Sequence, residues 1–180
     1  VLAERIFEPL EMADTGFQVP EEKVDRFAAC YTPAGPEGGL KITDDPQSSR
    51  FTRPPVFASG GGGLVGTATA YLTFANMLLG KGEHGGRRVL GRKTVEYMMM
   101  NHLDGDMAAM GQPRFSETSY EGIGFGLGGS VVIDPPKTQA LQSMGTFAWG
   151  GMASTAFWID PVDGITAVLM TQLQPSATYP

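Results

Sequence analysis

The stretch that decides the fold is Ala153-Ser154-Thr155-Ala156-Phe157-Trp158-Ile159-Asp160-Pro161-Val162-Asp163-Gly164-Ile165-Thr166-Ala167-Val168-Leu169-Met170-Thr171-Gln172. Two runs rich in β-branched and aromatic residues flank Asp160-Pro161-Val162-Asp163-Gly164. Those five residues are turn chemistry: proline presets φ, aspartate bonds nearby backbone amides and glycine supplies a positive φ. The pattern predicts an antiparallel hairpin. Working back, Thr146 to Trp149 and Gly122 to Ile133 have the same strand-like character, apart from a polar stretch at 134–146. Residues 121–175 are therefore expected to form antiparallel sheet, contributing three C-terminal strands.

Residues 1–120 read mainly as helix and loop. A helical pattern over 1–8 stops at Pro9, which lacks an N–H and fixes φ. A second helix is predicted after Pro20, with Glu21 and Glu22 where the helix dipole favours anions and Val24, Phe27 and Ala28 as its apolar stripe. Prolines and paired glycines make 32–56 irregular or short-strand. Thr67 is a predicted N-cap for a helix presenting Ala68, Tyr71, Leu72, Ala75, Leu78 and Leu79, which Gly80 ends. A shorter helix over Lys93 to Asn101 carries Val95, Met98 and Met99 inward. Helices first and antiparallel sheet last define the α+β class.

Composition sets the outer limits. A chain of 180 residues, 42% apolar and 18% charged, suits one globular domain. Glycine (25) and proline (13) make about a fifth of it, against roughly 12% in ordinary proteins, so the fold is loop-rich. The net charge of -6 offers no cationic surface for phosphate backbones, which argues against a nucleic-acid partner. Cys30 alone excludes an intrachain disulfide and a Cys-rich zinc site. No apolar run reaches 18 residues, so no membrane span is expected. Val1 reads as mid-helix and Gln174 to Pro180 carries no closing element, so the sequence is expected to be part of a longer protein. The compartment, bacterial cytoplasm or periplasm, stays open.

Several motifs offer chemistry. Gly124, Gly126 and Gly129 match G-x-G-x-x-G, but Ser130-Val131-Val132-Ile133 follows as strand, where a pyrophosphate site needs a helix N-terminus. Close packing against glycine is the better account. Asn101-His102-Leu103-Asp104-Gly105-Asp106 holds an imidazole and two carboxylates without metal-ligand spacing, and reads as a solvated loop. His84 lies in a glycine-rich turn. Pro20, Gly38, Leu78, Leu90 and Asp134 precede the five lysines by three, so S-x-x-K is absent. Phe147-Ala148-Trp149-Gly150-Gly151-Met152 remains. Its glycines either leave room for a substrate beside main-chain N–H groups or form a bulge next to a buried Trp.

Taken together, these segments resemble the serine β-lactamase-like superfamily, on the side of class C β-lactamases and family VIII carboxylesterases. The likeness rests on Ile6-Phe7-Glu8-Pro9-Leu10-Glu11-Met12-Ala13-Asp14-Thr15-Gly16-Phe17, Gly61-Gly62-Gly63-Leu64-Val65-Gly66-Thr67-Ala68, Tyr120-Glu121-Gly122-Ile123-Gly124-Phe125-Gly126-Leu127-Gly128, Trp149-Gly150-Gly151 and Phe157-Trp158-Ile159-Asp160-Pro161, in the family's order. The resemblance implies a β-lactamase/transpeptidase-like fold, an antiparallel sheet flanked by helices, of which this chain is a C-terminal portion. It also implies that the Ser and Lys of S-x-x-K and the Tyr of Tyr-x-Asn lie on a missing N-terminal segment, which is then a partner of this one. The chain alone is expected to be inactive. Trp149-Gly150-Gly151 stands where many β-lactamases carry Lys-Thr-Gly, and the Met152 amide takes an oxyanion-hole position. Residues 138–180 contain no Lys, Arg or His, which favours a small ester over a β-lactam. Glu11 departs from the family's usual Gly. No cofactor or metal is implied. The rival reading is a catalytically silent member used for binding or assembly.

Overall fold

The computed structural model describes residues 1–36, 38–115 and 118–176, so the last four residues of the tail, 177–180, lie outside it. The chain divides into two compact units, one made of Val1–Tyr71, Gly151–Thr155 and Met170 onward, the other of Leu72–Gly150 and Ala156–Leu169.

In the first unit the opening helix is wound wide over Ala3–Phe7, with Glu8 N–H donating to Ala3 O at 2.8 Å and Met12 N–H to Phe7 O at 2.8 Å. The bonds run past Pro9, with Leu10 N–H donating to Ile6 O at 3.1 Å, so the turn closes at Glu11 rather than at the expected Pro9. Glu11 has φ 54°, in the left-handed region that glycine enters without steric cost, which gives a physical reason for the family's Gly at this turn. The helix predicted after Pro20 is shorter and tighter than expected. It is a 3₁₀ helix over Glu21–Arg26, because Phe27 turns extended (φ -78°, ψ 123°) and sets its ring edge-on to Phe51 at 6.0 Å. Strands β1 (Cys30–Pro33) and β2 (Leu40–Asp44) pair antiparallel, the short-strand alternative for part of the stretch 32–56. A 3₁₀ turn at Arg50–Thr52 is capped by buried Ser49, whose Oγ accepts from Phe51 N–H and donates to Asp44. Thr67 caps helix α1 (Ala68–Leu79) as predicted, its Oγ1 accepting from Ala70 N–H at 3.1 Å.

The second unit takes most of α1. Hairpin β3 (Glu83–His84) and β4 (Arg87–Arg88) follows, turning on Gly85 and Gly86, both at positive φ. Next come α2 (Arg92–Met98) and hairpin β5 (Arg114–Phe115) with β6 (Thr118–Ser119). The main sheet comprises β7 (Ile123–Phe125), β8 (Ser130–Val132), β9 (Phe147–Gly151), β10 (Thr155–Asp160) and β11 (Ile165–Leu169), ordered β11-β10-β9-β8-β7; one turn, α3 (Pro135–Thr138), lies between β8 and β9. The predicted hairpin is present with Asp160 opposite Ile165. Asp160 Oδ1 accepts from Val162 N–H at 2.9 Å and Asp163 N–H at 3.1 Å, while Gly164 takes φ 69°. Two expectations need correction. The sheet has five strands rather than three, because Gly122 to Ile133 folds back on itself as β7 and β8. Residues 1–120 also contain three short hairpins, of which β3–β4 reverses on Gly85 and Gly86.

Ala75, Met77 and Leu78 of α1, Val95 of α2, and Val131, Phe147 and Ile159 of the sheet are buried. Met77 is fully enclosed although it falls off the predicted stripe, while Ala68 is exposed. Thr166 Oγ1 donates to Asn76 Oδ1 at 2.7 Å, tying β11 to α1. The three spaced glycines do what close packing requires. A Cβ on Gly126 would strike Met98 O, the acceptor of Leu127 N–H at 2.8 Å. One on Gly124 would strike Asn101 Oδ1, which accepts from Phe125 N–H at 2.9 Å. One on Gly129 would lie 2.7 Å from the Phe147 ring.

Gly126→Ala should therefore cost about 1–3 kcal/mol, the usual range for overpacking, read as a lower urea midpoint at unchanged m. The Asp106 carboxylate, held below its ordinary range by the Gly122 and Ala109 amides, gives a pH test. A carboxylate with a depressed folded pKa stabilises above its unfolded value, about 3.9, and that contribution fades as pH falls toward the folded one. Asp106→Asn should lie below the parent in stability at neutral pH, and the gap should narrow between about pH 5 and 3 in urea melts.

Candidate functional site

Phe147 and Trp149, two residues apart on β9, share one face of the sheet. Phe147 is 2% exposed, whereas Trp149, nearer the strand's end, is 40% exposed and packs edge-on against Phe125 at 4.9 Å. Trp149 and Gly150 border a concavity of about 860 Å³ in the second unit, walled also by Tyr120, Ser143, Thr146 and Trp158. Its charged lining groups are Asp160 and Asp163, both acids. Asp160 is desolvated, which alone would raise its pKa, yet bonds from Ser143, Asp163 and Val162 bring the carboxyl below the ordinary range. It is therefore an anion whose lone pairs are engaged, suited to closing a turn rather than to shuttling protons.

Gly151 and Met152 continue in the first unit as a tight turn, with Ser154 N–H donating to Gly151 O at 3.1 Å and Ser154 at φ 56°. The peptide between Gly151 and Met152 is planar and trans, so a carbonyl aimed into the turn sends the Met152 N–H the opposite way. Among the described residues no acceptor engages that N–H. Met152 is 68% exposed. An outward, unengaged amide at the end of a strand is the geometry an oxyanion donor needs. A Cβ on Gly151 would strike Thr155 Oγ1, which gives that glycine a packing role as well.

The other motifs resolve into structural parts. Asn101 staples its own loop, Nδ2 donating to Leu103 O at 3.1 Å and Gly105 O at 3.0 Å. Asp106 holds the Ala109 and Gly122 amides at 2.7 and 2.9 Å. His102 Nε2 meets Tyr97 O at 2.8 Å. No group of three potential metal ligands occurs among the described residues, and no described helix is long and apolar enough to cross a membrane. Lys93 and Arg92 both bind Glu96, drawing its carboxyl down to about 2. Lys23 and Lys137 pair with Asp14 and Asp134. The sequence gives no sign of Ser154, Thr155 or Thr171 around the turn, because their contacts depend on a chain reversal that local patterns do not encode.

Known proteins are similar to this chain in sequence and in fold. The sequence pattern of the Beta-lactamase family matches residues 1–180. Protein Rv1367c of Mycobacterium tuberculosis (strain ATCC 25618 / H37Rv) is 34% identical over 97% of this chain and 43% of its own length. Esterase EstB of Burkholderia gladioli is 27% identical over 92% of this chain and 42% of its own. Among solved structures, EstCE1, a hydrolase with promiscuous acyltransferase activity, superposes with a TM-score of 0.77 at 24% identity, covering 97% of this chain and 45% of that one. The chain thus spans less than half the length of these relatives, and its sheet and helices are those of a β-lactamase/transpeptidase-like fold. With a family pattern running from the first residue to the last, this chain belongs to the beta-lactamase family.

Proposed function

We propose that this chain is the C-terminal part of a serine hydrolase that acts on small neutral carboxylic esters through an acyl-enzyme. The ester preference is carried by one observation, the lack of a cation among the described residues that line the concavity bordered by Trp149 and Gly150. Residues 138–180 contain no Lys, Arg or His, and the concavity beside Trp149 has only acids among its charged lining groups. A carboxylate-bearing β-lactam would find no charge-assisted partner there. The relative named an esterase agrees with this reading.

The nucleophilic serine and its Lys and Tyr partners belong, by the family resemblance, to the portion of the protein preceding residue 1. Serine oxygen attacks the ester carbonyl carbon as its proton passes to the base. The new C–O bond moves the carbonyl electron pair onto oxygen, where the Met152 N–H receives the charge. Collapse breaks the bond to the alcohol, which leaves with the proton, and water then releases the acid. Trp149 walls the approach, and Gly150 and Gly151 leave the main chain accessible.

In the full-length protein, short neutral esters should be turned over faster than carboxylate-bearing β-lactams by roughly one to two decades in kcat/KM, since a charge-assisted hydrogen bond is worth about 1.5–3 kcal/mol. Equal values on both would remove the specificity argument. Met152→Pro isolates the amide: the residue is the second of a four-residue turn, where proline fits, and Gly151 before it is in strand conformation. The substitution deletes the N–H and should lower kcat by about two to three decades with little change in thermal midpoint. Undiminished turnover would leave the silent, binding-only protein as the better account.

A further inference from the structure

The turn that presents the Met152 amide does not hold itself. Ser154 occupies a left-handed conformation, at φ 56°, that costs a non-glycine residue about 1–2 kcal/mol, so the turn needs support from outside its own hydrogen bond. That support comes from Met170 onward, in the same unit. Thr171 Oγ1 reaches both Ala153 O, at 2.9 Å, and Ser154 O, at 2.8 Å, sharing its one proton between two carbonyls. Leu173 N–H donates to Ala153 O at 3.2 Å. Ser154 Oγ returns a bond to Leu173 O at 2.8 Å.

The segment that grips the turn is itself gripped. Tyr31 of β1 donates its N–H to Gln172 O at 2.8 Å and accepts from Gln174 N–H at 2.8 Å, forming a parallel bridge with Leu173. The lacing therefore runs from β1 through residues 172–174 to Ala153 and Ser154, and stops one peptide short of Met152. The two turn carbonyls it fixes, Ala153 O and Ser154 O, follow Met152 in the chain. The Met152 N–H is left out of the network, while the peptides that follow Ala153 and Ser154 are held and the turn's own bond, Ser154 N–H to Gly151 O, holds its near side.

We infer that Thr171 and Ser154 are positioning residues for the Met152 amide, their hydroxyls holding the 152–154 turn so that this N–H keeps its outward direction. The inference rests on the proposed oxyanion role and adds to it the groups that preorganise the donor. A preorganised donor stabilises charge only as charge develops, so disturbing its direction should lower kcat and leave KM nearly unmoved.

The test uses the full-length protein and a neutral p-nitrophenyl ester. Thr171→Val removes the hydroxyl at nearly constant volume and should reduce kcat by roughly ten- to a hundredfold with KM within about twofold. Thr171→Ser restores the hydroxyl and should recover most of the rate. Because the effect passes through the amide, adding Thr171→Val to Met152→Pro should cost little further. Unchanged kcat in Thr171→Val, a loss that Thr171→Ser does not restore, or a full-sized loss persisting in the Met152→Pro background each overturns the inference. If Thr171→Val does not fold, Ser154→Ala cuts the opposite tie and carries the same expectations. Failure of the oxyanion reading is distinct from these, since Met152→Pro alone would then be harmless.

Discussion

The second unit depends on the seating of one ring. Phe147 is buried between β8 and the core because Gly126 and Gly129 present no side chains to it, and a Cβ on either would lie within 3.2 Å of the ring. Interiors pack near crystal density, so this notch favours the register of β9 on β8 that places the ring in it. Ser130 opposite Ala148 and Val131 opposite Phe147 follow from that seating, and Ser130 Oγ adds a bond to Ala148 O at 2.8 Å. A one-residue slip in β9 would turn Phe147 outward and Trp149's neighbours inward. The ring in its notch thus fixes which face Trp149 takes and where the two glycines after it emerge.

What could be read from the sequence divides along the range of the forces involved. The β10–β11 hairpin was legible because Asp160 and Gly164 carry their own turn geometry, and the α1 start because Thr67 bonds an amide three residues on. The role of the spaced glycines was legible in kind, though not in partner. Nothing near Gly126 in sequence announces Met98 O, and nothing near Gly124 announces Asn101. The helix after Pro20 was over-read for a related reason. Its apolar residues satisfy a helical period, yet Phe27 is claimed by Phe51, and tertiary contact overrides a weak local preference. Five strands emerged where three were expected because glycine lowers strand propensity, and Gly126 to Gly129 marks the reversal between β7 and β8. In the candidate site, Trp149, Gly150, Gly151 and Met152 were visible as a motif, while the ties from Thr171 and Ser154 were not.

Charge is distributed with a consistent logic. Basic side chains at positions 23, 81, 92, 93 and 137 are matched to nearby carboxylates, and Glu96 takes three of them. Exposed pairs of this kind contribute little to stability. The C-terminal 43 residues, where the glycine motif lies, carry no cation of their own. A site that must bind an anion tightly would need a charge close by and desolvated. One that binds a neutral ester needs shape, an aromatic wall and a single well-aimed donor, and a donor from the main chain brings no formal charge.

The donor proposed at Met152 would need no side chain of its own to aim it. A main-chain amide has no rotamers, so its direction is set wholly by the peptide plane and the bonds on either side of it. At Met152 the bond before is the turn's own, from Ser154 N–H to Gly151 O, and the bonds after come from Thr171 and Leu173. The side chain of Met152 is mostly solvent-exposed and has no part in this arrangement. In the proposed role only the backbone of residue 152 is used, so its side chain can be changed within what the turn allows. Proline is the informative exception, because it alone keeps the turn while removing the donor.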